Sequence, residues 1–265
     1  MAEDAATFER ELRHAVEHGE LVPYYQPKVD LLTGVVAGME ALIRWPHPQR
    51  GLISPGRFMP LAEELGLCVP IGRAMLTATC RQLVAWRARY PTLAAPTLAV
   101  NLSERQFRLP DLAEIVATVL AETGLAPALL TLEVPETVAL AHPAAGVATC
   151  AALRAIGVSL AIDDYGMGYS SLVQLPRLPI NALKLDPYFF TPGESNRAIV
   201  RAVATLAQGL GLEVTAEGLE TAAHIAWARE VGCALGQGYY FAPPLLAADF
   251  EHLWAAGLRV ALPAA

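Results

Sequence analysis

The sequence predicts an α/β protein, a TIM-like (β/α)8 barrel whose first strand runs antiparallel to its neighbour. Three observations predict it. Eight apolar, β-rich runs recur at roughly regular intervals, stretches of helical periodicity separate most of them, and the link between the first two is too short for a helix.

The runs are Val22 to Val29, Val35 to Ile43, Leu98 to Leu102, Leu130 to Val134, Val158 to Ile162, Ala182 to Leu185, Leu212 to Thr215 and Ala234 to Phe241. Each is bounded by turn-forming residues and rich in Val, Ile, Leu or Tyr, as strands are. The segments Met75 to Tyr90, Asp111 to Thr123, Val138 to Ile156, Asn196 to Leu210 and Glu220 to Val231 carry apolar residues at helical spacing. Strand and helix in alternation imply a mainly parallel sheet. Asp30 to Gly34, DLLTG, breaks the alternation and reads as a hairpin turn, so the first two strands are antiparallel. Barrels of this kind carry their chemistry at the carboxyl ends of the strands.

Composition narrows the function. With 265 residues, 54% hydrophobic and 17% charged, the chain has apolar surface enough for one large core. A net charge of -7 opposes a partner as polyanionic as long nucleic acid, whereas a small anionic substrate remains compatible if metals or local Arg and Lys neutralise it. Cys68, Cys80, Cys150 and Cys233 are widely separated among apolar residues, which suits buried thiols in a reducing compartment rather than a zinc knuckle or disulfide framework. The first twenty residues lack the layout of a signal peptide and no apolar run is long enough to span a bilayer, so the expectation is a soluble, cytoplasmic protein without a membrane partner. The first strand lies close to the start, as in a domain cut from a longer chain.

Polar residues stand at the ends of nearly all the predicted strands: Glu40, Asn101, Glu133, Asp163 with Asp164, Lys184, Glu217 and Gln237. Taken singly, each has an ordinary explanation. A lone carboxylate after a strand is commonly a helix cap, Asn101 can cap the turn from Ser103 to Phe107, Lys184 can snorkel over the barrel rim, and Gln237 can satisfy a turn. Their joint placement at one end of successive strands points instead to a shared polar centre, because each is costly to bury alone. Five gathered anions require cations. Hard oxygen donors without Cys or paired His favour magnesium or manganese, with two ions per site expected. In such a site the ions acidify a water and stabilise the attacking and leaving oxygens at phosphorus, and the adjacent Asp163 and Asp164 are placed to reach both.

These residues lie in motifs that resemble the EAL-domain phosphodiesterases, which hydrolyse the bacterial second messenger cyclic di-GMP. The tripeptide Glu40-Ala41-Leu42 is followed in order by NLSERQF from Asn101, LEVPE from Leu132, DDYGMGYSS from Asp163, LKLD from Leu183, AEGLE from Ala216 and QGYYF from Gln237. The likeness runs from about Leu21 to Pro244, which implies one domain over residues 1–265 with its core at about 21–244.

The resemblance implies roles. Glu40, Asn101, Glu133 and Asp163 would ligate a first metal, and Asp163 would bridge to a second held by Asp164 and Glu217. Lys184 would hold the nucleophilic water, while Glu217 is open to either of two roles, general base or metal ligand. Gln237 would orient the site from the last strand. Gln26 and Arg44 would contact substrate, Arg44 as a guanidinium aimed at a phosphate. The segment Asp164 to Ser171 would couple metal binding to homodimerisation, with Glu136 pinning it. Gly166 and Gly168 would give that loop its freedom.

The chain departs from the family pattern around this frame. Pro135 stands where the family usually has Thr, which removes an N–H, fixes φ and is expected to alter how Glu136 approaches the loop. Met167 replaces a usual Thr, Tyr165 a usual Phe and Ala234 a usual Asp. None of these is an implied ligand. The intact ligand set places hydrolysis of cyclic di-GMP to linear pGpG ahead of the alternative, a catalytically silent cyclic di-GMP receptor. An enolase-like barrel, which also uses carboxylates, Lys and magnesium, does not share the antiparallel first strand or the ordered motifs.

Overall fold

The structure, a computed structural model, describes residues 2–141, 143–166, 173–191, 194–257, 259–260 and 262–263. The chain opens with α1 (Ala2–His18), β1 (Val22–Asp30), β2 (Val36–His47), β3 (Gly51–Ile53), α2 (Pro55–Glu64), α3 (Cys68–Arg89) and β4 (Thr97–Asn101). It continues through α4 (Glu104–Phe107), α5 (Leu112–Thr123), β5 (Leu130–Pro135), α6 (Glu136–Ala141), α7 (Pro143–Ala155), β6 (Ser159–Tyr165) and β7 (Ala182–Leu185). The last part is α8 (Glu194–Gly209), β8 (Glu213–Ala216), α9 (Ala222–Glu230), β9 (Leu235–Gly236) and α10 (Ala247–Ala255).

Eight strands close into a barrel in the order β1-β2-β4-β5-β6-β7-β8-β9, with β9 returning to β1. β1 is antiparallel to both neighbours, and every other barrel pairing is parallel, as the short DLLTG link predicts. The hairpin is built by Asp30, whose Oδ1 accepts the backbone N–H of Leu32 and Thr33 and the hydroxyl of Thr33. Gly34 ends the turn at φ 73°, where a side chain would run into the carbonyl of Val260.

Alternation along the strands sorts the side chains into two layers. Outward positions such as Met39, Val100, Leu132, Val134, Ile162, Leu183 and Val214 form the main core between barrel and helices. Inward positions include the small residues Ala99, Ala161 and Ala182, which leave space inside for long polar side chains. A second apolar cluster lies outside the barrel, where Leu12 and Ala15 of α1 pack with Trp45, Ile53, Phe58 and Ala62. Trp45 is its centre, with ring contacts to Phe8 at 5.4 Å and Phe58 at 6.0 Å.

Several elements differ from the sequence reading. The run Ala234 to Phe241 contributes only Leu235–Gly236 to the ladder. Beyond it Gly238, at φ 156°, lies so close to the backbone of Leu219 that a Cβ would stand 2.3 Å from it, and Tyr240 donates its N–H to the Leu219 carbonyl. The backbone there bonds to the loop after β8 instead of to a strand. The expected helix from Val138 to Ile156 is two helices, with Pro143, which lacks an N–H, opening the second. β2 runs on to His47 and carries the extra antiparallel strand β3. No helix among the described residues is long and apolar enough to cross a membrane.

Trp45 holds α1, α2 and the β2–β3 hairpin together, so Trp45→Ala should lower stability by about 3–5 kcal/mol. The denaturant midpoint should fall at an unchanged slope. An unchanged midpoint would show that the outer cluster contributes nothing to the barrel.

Candidate active site

At the carboxyl ends of the parallel strands a cleft of about 670 Å³ opens, lined by Gln26, Glu40, Asn101, Asp163, Lys184, Glu217 and Gln237. Strand register explains the convergence. Gln26 pairs with Glu40, Asn101 with Glu133 and Pro135 with Asp163, so inward residues of neighbouring strands stand side by side.

Lys184 is the hub. It is 2% exposed, and its Nζ lies 2.7 Å from Glu133 Oε2, 2.7 Å from Glu217 Oε1, 2.9 Å from Asp163 Oδ1 and 3.3 Å from Glu40 Oε2. Burial works against its ammonium, yet the surrounding carboxylates hold its pKa well above the ordinary lysine value. This buried position excludes the rim role that a lone strand-end lysine would suggest.

Glu40 is held from the other side. Asn101 Nδ2 donates to its Oε1 at 2.6 Å and Gln237 Nε2 to its Oε2 at 2.8 Å. Burial opposes its charge, but Lys184, Lys28 and these two donors outweigh burial and keep the carboxyl well below the usual carboxylate range. Gln237 also donates to Gln26 Oε1 at 2.9 Å, and Gln26 donates to the Ala242 carbonyl. The cap of α4 belongs to Ser103, whose side chain accepts from Gln106, so Asn101 is left for the cleft.

Asp163 and Asp164 are brought to one side by an irregular backbone. The register of β6 against β7 shifts between Ile162 and Tyr165, and Asp164 adopts φ 53°, the one positive φ of a non-glycine among the described residues. Consecutive strand residues ordinarily point to opposite faces. Here one oxygen from each of Asp163, Asp164 and Glu217 lies within 4.8 Å of the others. That left-handed backbone is strained by about 1–3 kcal/mol, a strain that recurs at functional sites.

The charge is not balanced. Burial and then Glu40 push Glu133 up to about 7, burial and then Asp163 push Asp164 up to about 6, and burial with the carboxylates around it pushes Glu217 up to about 8. Among the described residues, Asp163 Oδ1 and Gln237 Oε1 are buried without a hydrogen-bond partner, although the former lies 2.9 Å from the Lys184 ammonium. Clustered oxygen donors with raised pKa values, more of them than the buried lysines can neutralise, fit hard divalent cations.

Glu136 reaches the loop after β6 despite Pro135. Its Oε2 accepts the N–H of Gly166 at 2.7 Å, and Pro135 is merely the last residue of β5. Met167, Gly168 and Ser171 lie outside the described residues. Arg44 stands on the same face of β2 as Glu40 and Leu42 but is not among the cleft-lining residues. It is half-buried and donates to the Ile43 carbonyl.

Several contributors escaped the sequence reading. Lys28 Nζ lies 2.5 Å from Glu133 Oε1, and its signal was its spacing of two from Gln26 along an apolar strand. Tyr188, Glu220, His224 and Tyr239 also line the cleft, His224 from the first turn of α9 and the others from the segments that follow β7, β8 and β9.

A closed barrel with an antiparallel first strand and a carboxylate cluster around a buried lysine at the carboxyl ends of its strands defines the class, a TIM-like α/β barrel. The EAL domain model matches residues 9–244, and the chain belongs to the EAL domain family. A bifunctional diguanylate cyclase/cyclic di-GMP phosphodiesterase, MucR of Pseudomonas aeruginosa, is 42% identical over 238 residues, covering 89% of this chain and 34% of MucR. The uncharacterized protein Rv1357c of Mycobacterium tuberculosis is 39% identical over 241 residues, covering 88% of this chain and 78% of that protein. Among solved structures, the PaMucR phosphodiesterase in complex with c-di-GMP superposes with TM-score 0.87 at 41% identity, covering 91% of this chain and 98% of that one. The EAL enzyme Bd1971 with cAMP and cyclic-di-GMP bound gives TM-score 0.90 at 28% identity, covering 96% of this chain and 69% of that one. This chain spans about a third of the length of several curated relatives that it matches.

In chelator, the thermal stability of this protein should fall as pH rises from about 5 to 8. The sign follows from linkage: Asp164, Glu133 and Glu217 carry pKa values above those of the unfolded chain, so the native state retains protons that the unfolded state has released. Glu217→Gln should flatten the upper part of that decline. Stability that climbs across the same window would contradict the charge imbalance.

Proposed function

We propose that this chain is a magnesium- or manganese-dependent phosphodiesterase that hydrolyses cyclic di-GMP to linear pGpG, working as a cytoplasmic homodimer. The observation that carries the reading is the gathering of Glu40, Glu133, Asp163 and Glu217 around Lys184, with Asp164 turned to the same side. The likeness to the c-di-GMP-complexed PaMucR structure supports the substrate.

Glu40, Asn101, Glu133, Asp163, Asp164 and Glu217 would hold two divalent ions. Bound there, the ions supply Lewis acidity and neutralise the phosphate. The protein's own residues do the rest. Lys184 orients the attacking water and adds positive charge beneath the phosphate. Glu217, 2.7 Å from Lys184 Nζ, stands beside that water's position and would take its proton. Water adds to phosphorus, the bond to the ribose 3′ oxygen breaks, and that oxygen is protonated, which opens the ring to a linear dinucleotide. Gln237 offers a buried, unpartnered Oε1 to the cleft, the right acceptor for a hydroxyl or N–H of the nucleotide. Tyr188 and Tyr239, 55% and 66% exposed, present aromatic faces at the cleft on which a purine can stack. Arg44 adds a guanidinium on the same face of β2, placed to meet a phosphate oxygen.

Incubation of purified protein with cyclic di-GMP and either ion should yield pGpG, and chelator should stop it. Glu40→Ala and Asp163→Ala should abolish turnover, whereas Arg44→Ala should raise KM and largely spare kcat. Nucleotide binding in calorimetry with no product under either metal would instead identify a receptor. Near-normal rates in Glu40→Ala would overturn the ligand assignment.

A further inference from the structure

Beneath the cleft, on the amino-terminal side of the barrel, lies a second cavity of about 410 Å³ lined by Lys28, Thr97, Thr131, Ser159 and Thr215 and reaching Lys184. Lys184 lines both spaces, and Glu133 is held between it and Lys28. Glu133 is fully buried, and its two oxygens are treated unequally: Oε2 faces Lys184 at 2.7 Å, while Oε1 is held by Lys28 at 2.5 Å. Lys184 divides its charge among four carboxylates, so a cation arriving in the cleft can replace its share at Glu133 without stranding the ammonium. Lys28 has no such freedom. It is 5% exposed, and among the described residues Glu133 is its one ion-pair partner.

We propose that Lys28 is a positioning residue that clamps the far oxygen of Glu133, so that Glu133 has a single oxygen, the one facing Lys184, to give to a cation, and the site favours a small octahedral ion over calcium. The inference rests on the metal-dependent reading of the same site. Magnesium demands near-ideal octahedral geometry with single-oxygen ligands, whereas calcium gains from carboxylates that give both oxygens. With Oε1 occupied from below, the two-oxygen mode is closed to Glu133. The register shift of β1 between Lys28 and Val29 marks where the strand leaves its regular pairing, immediately after the clamp.

The test is the ratio of calcium to magnesium affinity, measured by calorimetric titration of the metal-free protein with each chloride. Both ions are divalent, so the electrostatic effect of deleting one lysine cancels in the ratio. Lys28→Met should shift it about tenfold toward calcium, the size typical when a group supporting a metal ligand is lost. Lys28→Arg, which keeps a cationic donor and has the lower cavity to occupy, should retain the wild-type ratio. If Lys28→Met does not fold by circular dichroism, Lys28→Gln carries the same comparison, because its shorter neutral amide cannot hold the oxygen as firmly. An unchanged ratio in the neutral variant, or an equal shift in Lys28→Arg, would overturn the clamp while leaving the metal reading intact. Wild-type protein that binds neither ion would overturn the metal reading and the clamp with it.

Discussion

One buried ammonium against an excess of buried carboxylates is the constraint on which the molecule depends. Lys184 lies within 3.3 Å of Glu40, Glu133, Asp163 and Glu217, with Asp164 close by, and among the described residues Lys28 alone adds a second buried cation at the cluster. Such a cluster is unfavourable left to itself, since burying a charge without full compensation is expensive. Protons are retained on Glu133, Asp164 and Glu217 toward neutral pH for this reason. Two divalent ions would replace those protons and turn a repulsive centre into a binding one.

The barrel makes that centre possible by geometry. Small inward residues, Ala99, Ala161 and Ala182, leave the interior open to Lys184 and Glu133, while the outward layer of Val, Leu and Ile secures the strands to the helices. The strained turn at Asp164 and the register shift beside it bring a fifth carboxylate to the cluster that a regular strand would have pointed away. Glu136, gripping the N–H of Gly166, holds the start of the next loop in line with this irregular strand end.

Much of this was legible in local pattern. The short DLLTG link required an antiparallel hairpin, and apolar runs interrupted by one polar residue at their ends marked Glu40, Asn101, Glu133, Asp163, Lys184 and Glu217. What was hidden arose from long-range contacts. Tyr239, Tyr240 and Phe241 look like a strand in sequence, but Gly238 packs on the Leu219 backbone and the ladder stops at Gly236. Lys28 sits in a run that reads as an ordinary strand, and its partner lies 105 residues away on β5. The aromatic side chains Tyr188 and Tyr239 at the cleft come from the segments after β7 and β9, outside the regular strand and helix periods.

Hydrolysis at this centre requires the carboxylate cluster to be a site for two cations. Metal analysis of crystals grown with manganese and nucleotide, using anomalous scattering at the carboxyl ends of the strands, measures this directly. Two peaks per chain are expected, one among Glu40, Asn101, Glu133 and Asp163 and one among Asp163, Asp164 and Glu217. A chain with nucleotide in the cleft, Lys184 still bridging all four carboxylates and no peak at either position would contradict that requirement.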